Sequence, residues 1–332
     1  MIKTLKTLVQ TGPQIYPGYS GGALWNKSKH YARGLAFARQ TKAWFKLLHR
    51  PELAVVIQRR PRLFQKLQRP YLTRTLDTSR RLQALRQHYE FVRQQFSPAI
   101  RQEIYGTQGK VLAHLPLVED KQYSLVLCYS HTEKEGDLMI VLADLQAGVA
   151  LFTLAFSVVQ WEREPREIWI GGLQGNRAAS HKEAIINFTR TWHGLRPKAL
   201  LLFALQTLAD IWGITRMRAV SDDMHIYQHW HKRREIAASY DEWWVEAGGT
   251  RAPDGLYDLP ARFVPRDITA LKANKRPLYR RRYRMLGEIT GHMGHAFGRA
   301  GLTLHPPELA PTAEELPGEP MAAARETSGE TR

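Results

Sequence analysis

Asp222, Asp223 and His225 stand together just after Thr215-Arg-Met-Arg-Ala-Val220, an apolar stretch that reads as a β-strand. A carboxylate beside an imidazole can orient it for general-base work, and strand ends are where sheet-built sites collect their side chains. The competing assignment is structural: Asp222 or Asp223 caps the helix that follows, and His225 lies on its surface. Upstream, Gly171-Gly172-Leu173-Gln174-Gly175 closes another apolar run. There, glycine flexibility can turn several backbone N–H groups toward a phosphate or carboxylate. Arg177, His181 and Lys182 follow closely and would supply cations for such an anion, although the same glycines serve equally as a sharp turn. Between Lys272 and Arg284, seven cations interleave with aromatics in thirteen residues, most densely at Arg280, Arg281 and Arg282. Such a run binds phosphates of any origin unless it is simply the solvated face of a helix. His225 and His229 would share one helical face, as metal ligands do, but no HExxH glutamate or cysteine completes a set and no metal site is expected.

The elements that must position these residues can be read from periodicity. From Val111 the pattern has period two: residues 123–130, 137–143, 149–159 and 167–171 are β-rich runs joined by short turns such as Glu133-Lys-Glu-Gly136-Asp137. Short turns join antiparallel neighbours, because parallel ones need long crossovers. Helices are expected over residues 180–192 and 197–212, the second opened by Pro197 and ended by Gly213. Another is expected near Met224 to Trp243, and a short strand over residues 256–259. A helix capped by Asp77 or Thr78 precedes the sheet, with Leu82, Leu85, Tyr89, Val92 and Phe96 on one face. The whole is an α+β fold, an antiparallel-rich sheet covered by helices, over residues 73–290. Residues 1–72 form a basic helical region with helices over 31–49 and 52–67. In the first, Tyr31, Leu35, Ala38, Phe45 and Leu48 share a face with lysines and arginines interleaved, so Trp44 and Phe45 serve either the core or a membrane surface. Residues 306–332, rich in Pro, Glu, Ala and Thr, read as a disordered tail.

Composition bounds the partners. With 43% hydrophobic and 24% charged residues the 332-residue chain can build a core, and its net charge of +17 draws it toward polyanions. Cys128, the single cysteine, reads as a small apolar strand residue with no cation near in sequence to activate it. The first ten residues contain no apolar core of the secretory kind, and no run is long enough to span a bilayer. A cytoplasmic protein, or one peripheral on the inner membrane, is the expectation.

The order of strands and helices resembles the second half of an N-acetyltransferase-like fold, in which the helix after the fourth strand cradles a pyrophosphate with its amino terminus. That likeness implies acyl-CoA as a cofactor, yet the arginine or glutamine with spaced glycines that usually opens this helix is absent at Gly194-Leu195-Arg196-Pro197. A more specific resemblance is carried by Arg69-Pro70-Tyr71-Leu72, Gly171 to Gly175, Arg196-Pro197-Lys198, Ser221-Asp222 and Tyr240-Asp241-Glu242-Trp243-Trp244. Over residues 70–285 these resemble the VirK/YbjX family of Gram-negative bacteria. The resemblance implies a role in the envelope: surface display of an outer-membrane virulence factor and resistance to cationic antimicrobial peptides. It brings no catalytic residue. Acyl-type transfer, with Gly171, Gly172, Gln174, Gly175, Arg177 and Lys182 holding an anionic donor and Asp222 or His225 accepting a proton, is one expectation. The other is an adaptor that holds anionic lipid, a lipopolysaccharide precursor or a nascent outer-membrane protein. Nucleic acid, suggested by charge alone, ranks last.

Overall fold

The computed structural model describes residues 2–118, 121–176, 181–227 and 239–299. The chain opens with helices α1 (Ile2–Ile15), α2 (Gly21–Ala36), α3 (Ala38–Leu48) and α4 (Ala54–Arg59), followed by a 3-10 segment, Pro61–Gln68. The helix expected over 31–49 is thus two helices, broken at Phe37, and Leu35 is exposed while Trp44 and Phe45 are buried. The aromatic pair belongs to the core: Trp44 Nε1–H donates to Leu63 O and its ring packs on Tyr89. α1 and the first half of α2 were hidden in the sequence by Gly12-Pro13, Gly18 and Gly21-Gly22. Here Ser20 restarts the helix by accepting the Ala23 N–H.

Next come α5 (Thr78–Gln95), capped by Asp77 as expected, and α6 (Pro98–Ile104). The strands β1 (Lys110–His114), β2 (Tyr123–Tyr129), β3 (Leu138–Asp144), β4 (Val149–Val159) and β5 (Glu167–Gly175) form the antiparallel meander that the short turns require. Then α7 (His181–Thr191) and α8 (Pro197–Trp212) carry the chain back to β6 (Arg216–Ala219), which pairs in parallel with β5. After α9 (Tyr240–Glu246), β7 (Thr250–Arg251) and β8 (Tyr257–Leu259) extend the far edge, and α10 (Arg276–Ala296) packs on β1 and α8. The result is an α+β fold with a mixed, mostly antiparallel open sheet in the order β1-β2-β3-β4-β5-β6-β8-β7. The helix expected from Met224 to Trp243 is present only as α9; residues 224–227 form turns, and 228–238 lie outside the described residues.

Strand β3 begins at Leu138, opposite Phe156, so the last residues of β4 run on without a partner on that side. Helix α5 fills the gap: His88 Nδ1 accepts the Val158 N–H at 3.2 Å, as a strand carbonyl would. This requires a neutral imidazole, and burial, aided by the charge on Lys66 and opposed by that of Asp137, brings His88 down to about 4. Alternate residues of β4 serve different neighbours, Phe156 stacking on Trp212 of α8 while Ser157 bonds Tyr71. Burial also pushes the Cys128 thiol up to about 11, so it stays protonated in β2.

Because His88 takes up protons less readily in the folded state, the unfolded chain gains them first as pH falls below 6.5. Stability present at neutral pH should therefore decline by about 3 kcal/mol between that value and pH near 4. In His88→Gln, which keeps an acceptor for Val158, urea midpoints should fall less steeply over this window; identical slopes would contradict the assignment.

Candidate functional site

The turn between β2 and β3, His131 to Asp137, is the hub of the polar interior. Asp137 points into the core at full burial, where Oδ1 accepts from Lys66 Nζ at 2.6 Å and Tyr89 Oη at 2.7 Å, and Oδ2 accepts from the Tyr71 hydroxyl. Its N–H donates to Ser157 Oγ at 2.9 Å. Burial alone would raise the Asp137 carboxyl, but the charge of Lys66 and the bonds from Lys66 and Tyr71 hold it below its ordinary value.

Two residues earlier, Glu135 is equally buried and faces β5. Gln174 Nε2 donates to both of its oxygens, at 2.6 and 2.7 Å. His225 Nε2 lies 3.3 Å from Oε1, a close approach but off the line of a hydrogen bond. The His225 ring stacks on Tyr240 with centroids 5.1 Å apart, and its Nδ1 accepts the Tyr227 N–H at 3.4 Å. Gly171 and Gly172 make this approach possible. They are not a loop: β5 continues through them, with Gly171 bulged out of register against β4. A Cβ on Gly171 would collide with the main chain of Glu135, and one on Gly172 with its carboxylate. Beyond Ile170, β5 has no strand partner on the β6 side; instead the Tyr240 hydroxyl bonds both the N–H and the carbonyl of Leu173.

The remaining residues assigned from sequence take other places. The Asp222 carboxylate, proposed as a base, is spent on capping: Oδ1 accepts Tyr240 N–H at 2.8 Å and Oδ2 the Ser239 hydroxyl at 2.7 Å, while Asp222 N–H donates to Asp241. Capping was the alternative, but the helix capped is α9, far downstream. His225 is buried rather than on a helix surface. Asp223 is engaged by Ser221 and Arg251. Gly175 ends β5 paired to Phe152, and Lys182 is exposed on α7. Arg280, Arg281 and Arg282 lie on α10, where Arg282 holds His193 O with two N–H groups at 3.0 and 2.7 Å. Arg177 and His229 lie outside the described residues, and among those described no cluster of three or more metal-ligating side chains occurs.

In front of Glu135 opens a cleft of about 610 Å³ between the amino-terminal helices and the 131–134 turn. Arg59, Arg60, Arg62, Arg69, His131 and Lys134 line it, with Glu133 as the acidic residue. Among the described residues, no carboxylate comes within ion-pair distance of any of those four arginines. Tyr227 stands between this cleft and the Glu135–His225 pair; burial and the charge of Glu135 push its hydroxyl up. A smaller hollow of about 160 Å³, lined by Lys29, His30, Arg33, Gln65, Gln68 and Arg69, adjoins it through Arg69. Among the described residues, no acidic one lines this hollow.

Of the segments that carry the family resemblance, the one ending at Leu72 and the Gly171-Gly172 pair reach this turn, and others are bonded to neighbours of theirs. Leu72 N–H donates to Lys134 O at 2.7 Å, Arg74 N–H to Met224 O at 3.1 Å, and Trp244 Nε1–H to Val220 O at 2.8 Å. The family model described as "Protein of unknown function (DUF535)" matches residues 20–295. The chain belongs to this family. Its match takes in α2 and α3, beyond the 70–285 span that the motifs suggested. The chain is 33% identical over 285 residues to the Escherichia coli "Uncharacterized protein YbjX", covering 83% of this chain and 86% of that relative. A Haemophilus influenzae relative, "Uncharacterized protein", is 24% identical over 220 residues, 66% of this chain and 72% of its own length.

Sequence reasoning missed Lys66, Glu135 and Asp137. Glu133-Lys-Glu-Gly-Asp137 reads as a polar hairpin turn, and only its acid-rich spacing between two apolar strands hinted at anything else. The glycine assignment gives a test by double substitution. Gly171→Ala and Gly172→Ala should each cost about 1–3 kcal/mol by overpacking. Adding Glu135→Ala should recover part of the Gly172→Ala loss, where the obstacle is the carboxylate, and none of the Gly171→Ala loss, where it is main chain. Thermal denaturation of the four variants reads this out; equal rescue of both would overturn it.

Proposed function

We propose that this protein supports the bacterial envelope by binding an anionic, phosphate-bearing component, the headgroup of an acidic lipid or a lipopolysaccharide precursor, in the cleft in front of the 131–137 turn. The observation that carries the reading is the set of arginines 59, 60, 62 and 69 gathered on one concave surface with no carboxylate partner among the described residues. Such a set is costly to hold together without an anion to receive, and guanidinium groups match phosphate oxygens in pairs. The adjoining hollow, reached through Arg69, suits a ligand with a second anionic group. The envelope role, display of surface proteins and peptide resistance rest on the family resemblance.

A second reading, acyl-type transfer on an acyltransferase-like fold, draws on the closeness of Glu135 and His225 behind Tyr227. The acyl-CoA that this fold implies does not fit the residues present. Helix α8, which would offer its amino terminus to a pyrophosphate, opens with Pro197, which lacks an N–H, and with no side-chain cap. The Glu246 carboxylate already occupies the approach, 2.6 Å from Arg196 and 3.8 Å from Lys198. In this reading the Glu135–His225 pair takes or returns a proton for a substrate held by the cleft arginines, and Asp222 only positions α9.

Isothermal titration with inorganic pyrophosphate tests the first reading. Arg60→Ala and Arg69→Ala should each weaken binding by about tenfold or more, the worth of a hydrogen bond to a charged group. The surface substitution Lys182→Ala should leave it unchanged. Wild-type affinity in both arginine variants would refute the cleft as the site.

A further inference from the structure

The α1–α2 hairpin turns an unusual face outward. Leu5 and Val9 of α1, Tyr19 in the connection, and Leu24, Trp25 and Leu35 of α2 are all exposed, Tyr19 by 87% and Trp25 by 62%. On α2 these fall into an arc. Leu24, Ser28 and Leu35 lie along one line of the helix, and Gly21, Trp25, Ala32 and Ala36 along the next, every one of them exposed. No charge interrupts the arc. Its border is cationic: Lys29 lies beside it with Nζ 4.6 Å from the Trp25 ring, and Arg33 follows one turn later. At the helix start Lys27 Nζ sits 4.9 Å from the Tyr19 ring and is held by Gly18 O at 2.7 Å. The inward side of the same helix, Lys27, His30 and Gly34, is buried.

We propose that this hairpin seats on the surface of an anionic bilayer, with Trp25 and Tyr19 at the headgroup level and Leu24 and Leu35 toward the acyl chains. Apolar residues on one face, aromatics at its margin and cations beside them are what an interfacial helix needs, and a chain of net charge +17 is drawn to such a surface. Among the described residues, no helix is long and apolar enough to cross the bilayer, so the attachment is peripheral. The placement has a consequence for the cleft. Gln14, Ile15 and Pro17 at the end of α1 form its rim, and Lys29, His30 and Arg33 wall the smaller hollow. A hairpin laid in the headgroup layer brings both concavities to the phosphates. This rests on the reading of the cleft as a headgroup site and adds the surface that presents it. It also moves the membrane contact from Trp44 and Phe45, which are buried, to a face whose side chains are exposed.

The test uses the full chain and vesicles of phosphatidylglycerol and phosphatidylethanolamine, some with brominated acyl chains. Bromine should quench part of the wild-type tryptophan emission, and this part should vanish in Trp25→Phe. Leu24→Asp should weaken vesicle binding by about tenfold or more, as should replacing the acidic lipid by phosphatidylcholine. The exposed position of both residues leaves folding intact. Equal quenching in wild type and Trp25→Phe would overturn the proposal. So would light scattering that shows a dimer which Leu24→Asp dissociates while vesicle binding persists, since the face would then join two copies. Pyrophosphate titration separates the two readings: Leu24→Asp should keep wild-type affinity there. A loss confined to Arg60→Ala together with unquenched Trp25 sinks the docking face alone, whereas quenched Trp25 with unaltered pyrophosphate binding in Arg60→Ala sinks the cleft alone.

Discussion

A carboxylate with no access to water, Asp137, is the constraint around which the rest of this molecule is arranged. Removing a charge from water costs several kcal/mol even after relaxation, and the loss is recovered only when every lone pair finds a donor of good geometry. The donors here come from three separate places in the chain, Lys66 in the 3-10 segment, Tyr71 in the stretch after it and Tyr89 in α5, while Ser157 in β4 accepts the Asp137 N–H. Withdrawing any one leaves buried polarity unmet, so the amino-terminal helices, α5 and the sheet are bound to a single arrangement. Trp44, Leu63 and Tyr89 pack in the same core, which makes the apolar and ionic demands agree.

The same short turn then sets the functional geometry. Glu135 and Asp137 flank Gly136 and send their carboxylates to different partners, one to β5, Gln174 and His225, the other to Lys66 and Tyr71. Pinned on both sides, the turn presents His131, Glu133 and Lys134 as one wall of the cleft, while Lys66, bonded to Asp137, and Leu72, bonded to the Lys134 carbonyl, tie the opposite wall to it. Preorganisation of this kind matters most for cations that repel one another, because a floppy scaffold would let them drift apart into solvent.

The sheet, α5, α8 and the Gly213 stop were legible because each depends on local pattern: alternation, helical spacing, a cap or a glycine of left-handed conformation. The site was less so. Gly171 and Gly172 look like a turn in one dimension, and their purpose, room for Glu135, exists only once the β2–β3 turn folds over β5. Asp222 does cap, as one alternative held, but its helix begins after a long excursion of chain. Trp44 and Phe45 show the opposite failure: a basic, amphipathic pattern fits a membrane face and a core face equally well, and burial against Leu63 and Phe64 decides.

The acyltransferase-like order of elements expected from the sequence would not by itself bring an acyltransferase site with it. Where β5 and β6 part company, the strand edge beyond Ile170 is answered by the hydroxyl of Tyr240, whose ring is clasped between His225 and Trp244. Where α8 begins, proline and a facing carboxylate stand in the place of a phosphate cradle. Both positions that such a fold could give to a cofactor are taken by the protein's own side chains, and four arginines that meet no carboxylate among the described residues collect instead on the far side of the β2–β3 turn, against helices that lie outside the sheet. The balance of charge, rather than the order of strands, is therefore what singles out the cleft as the candidate site.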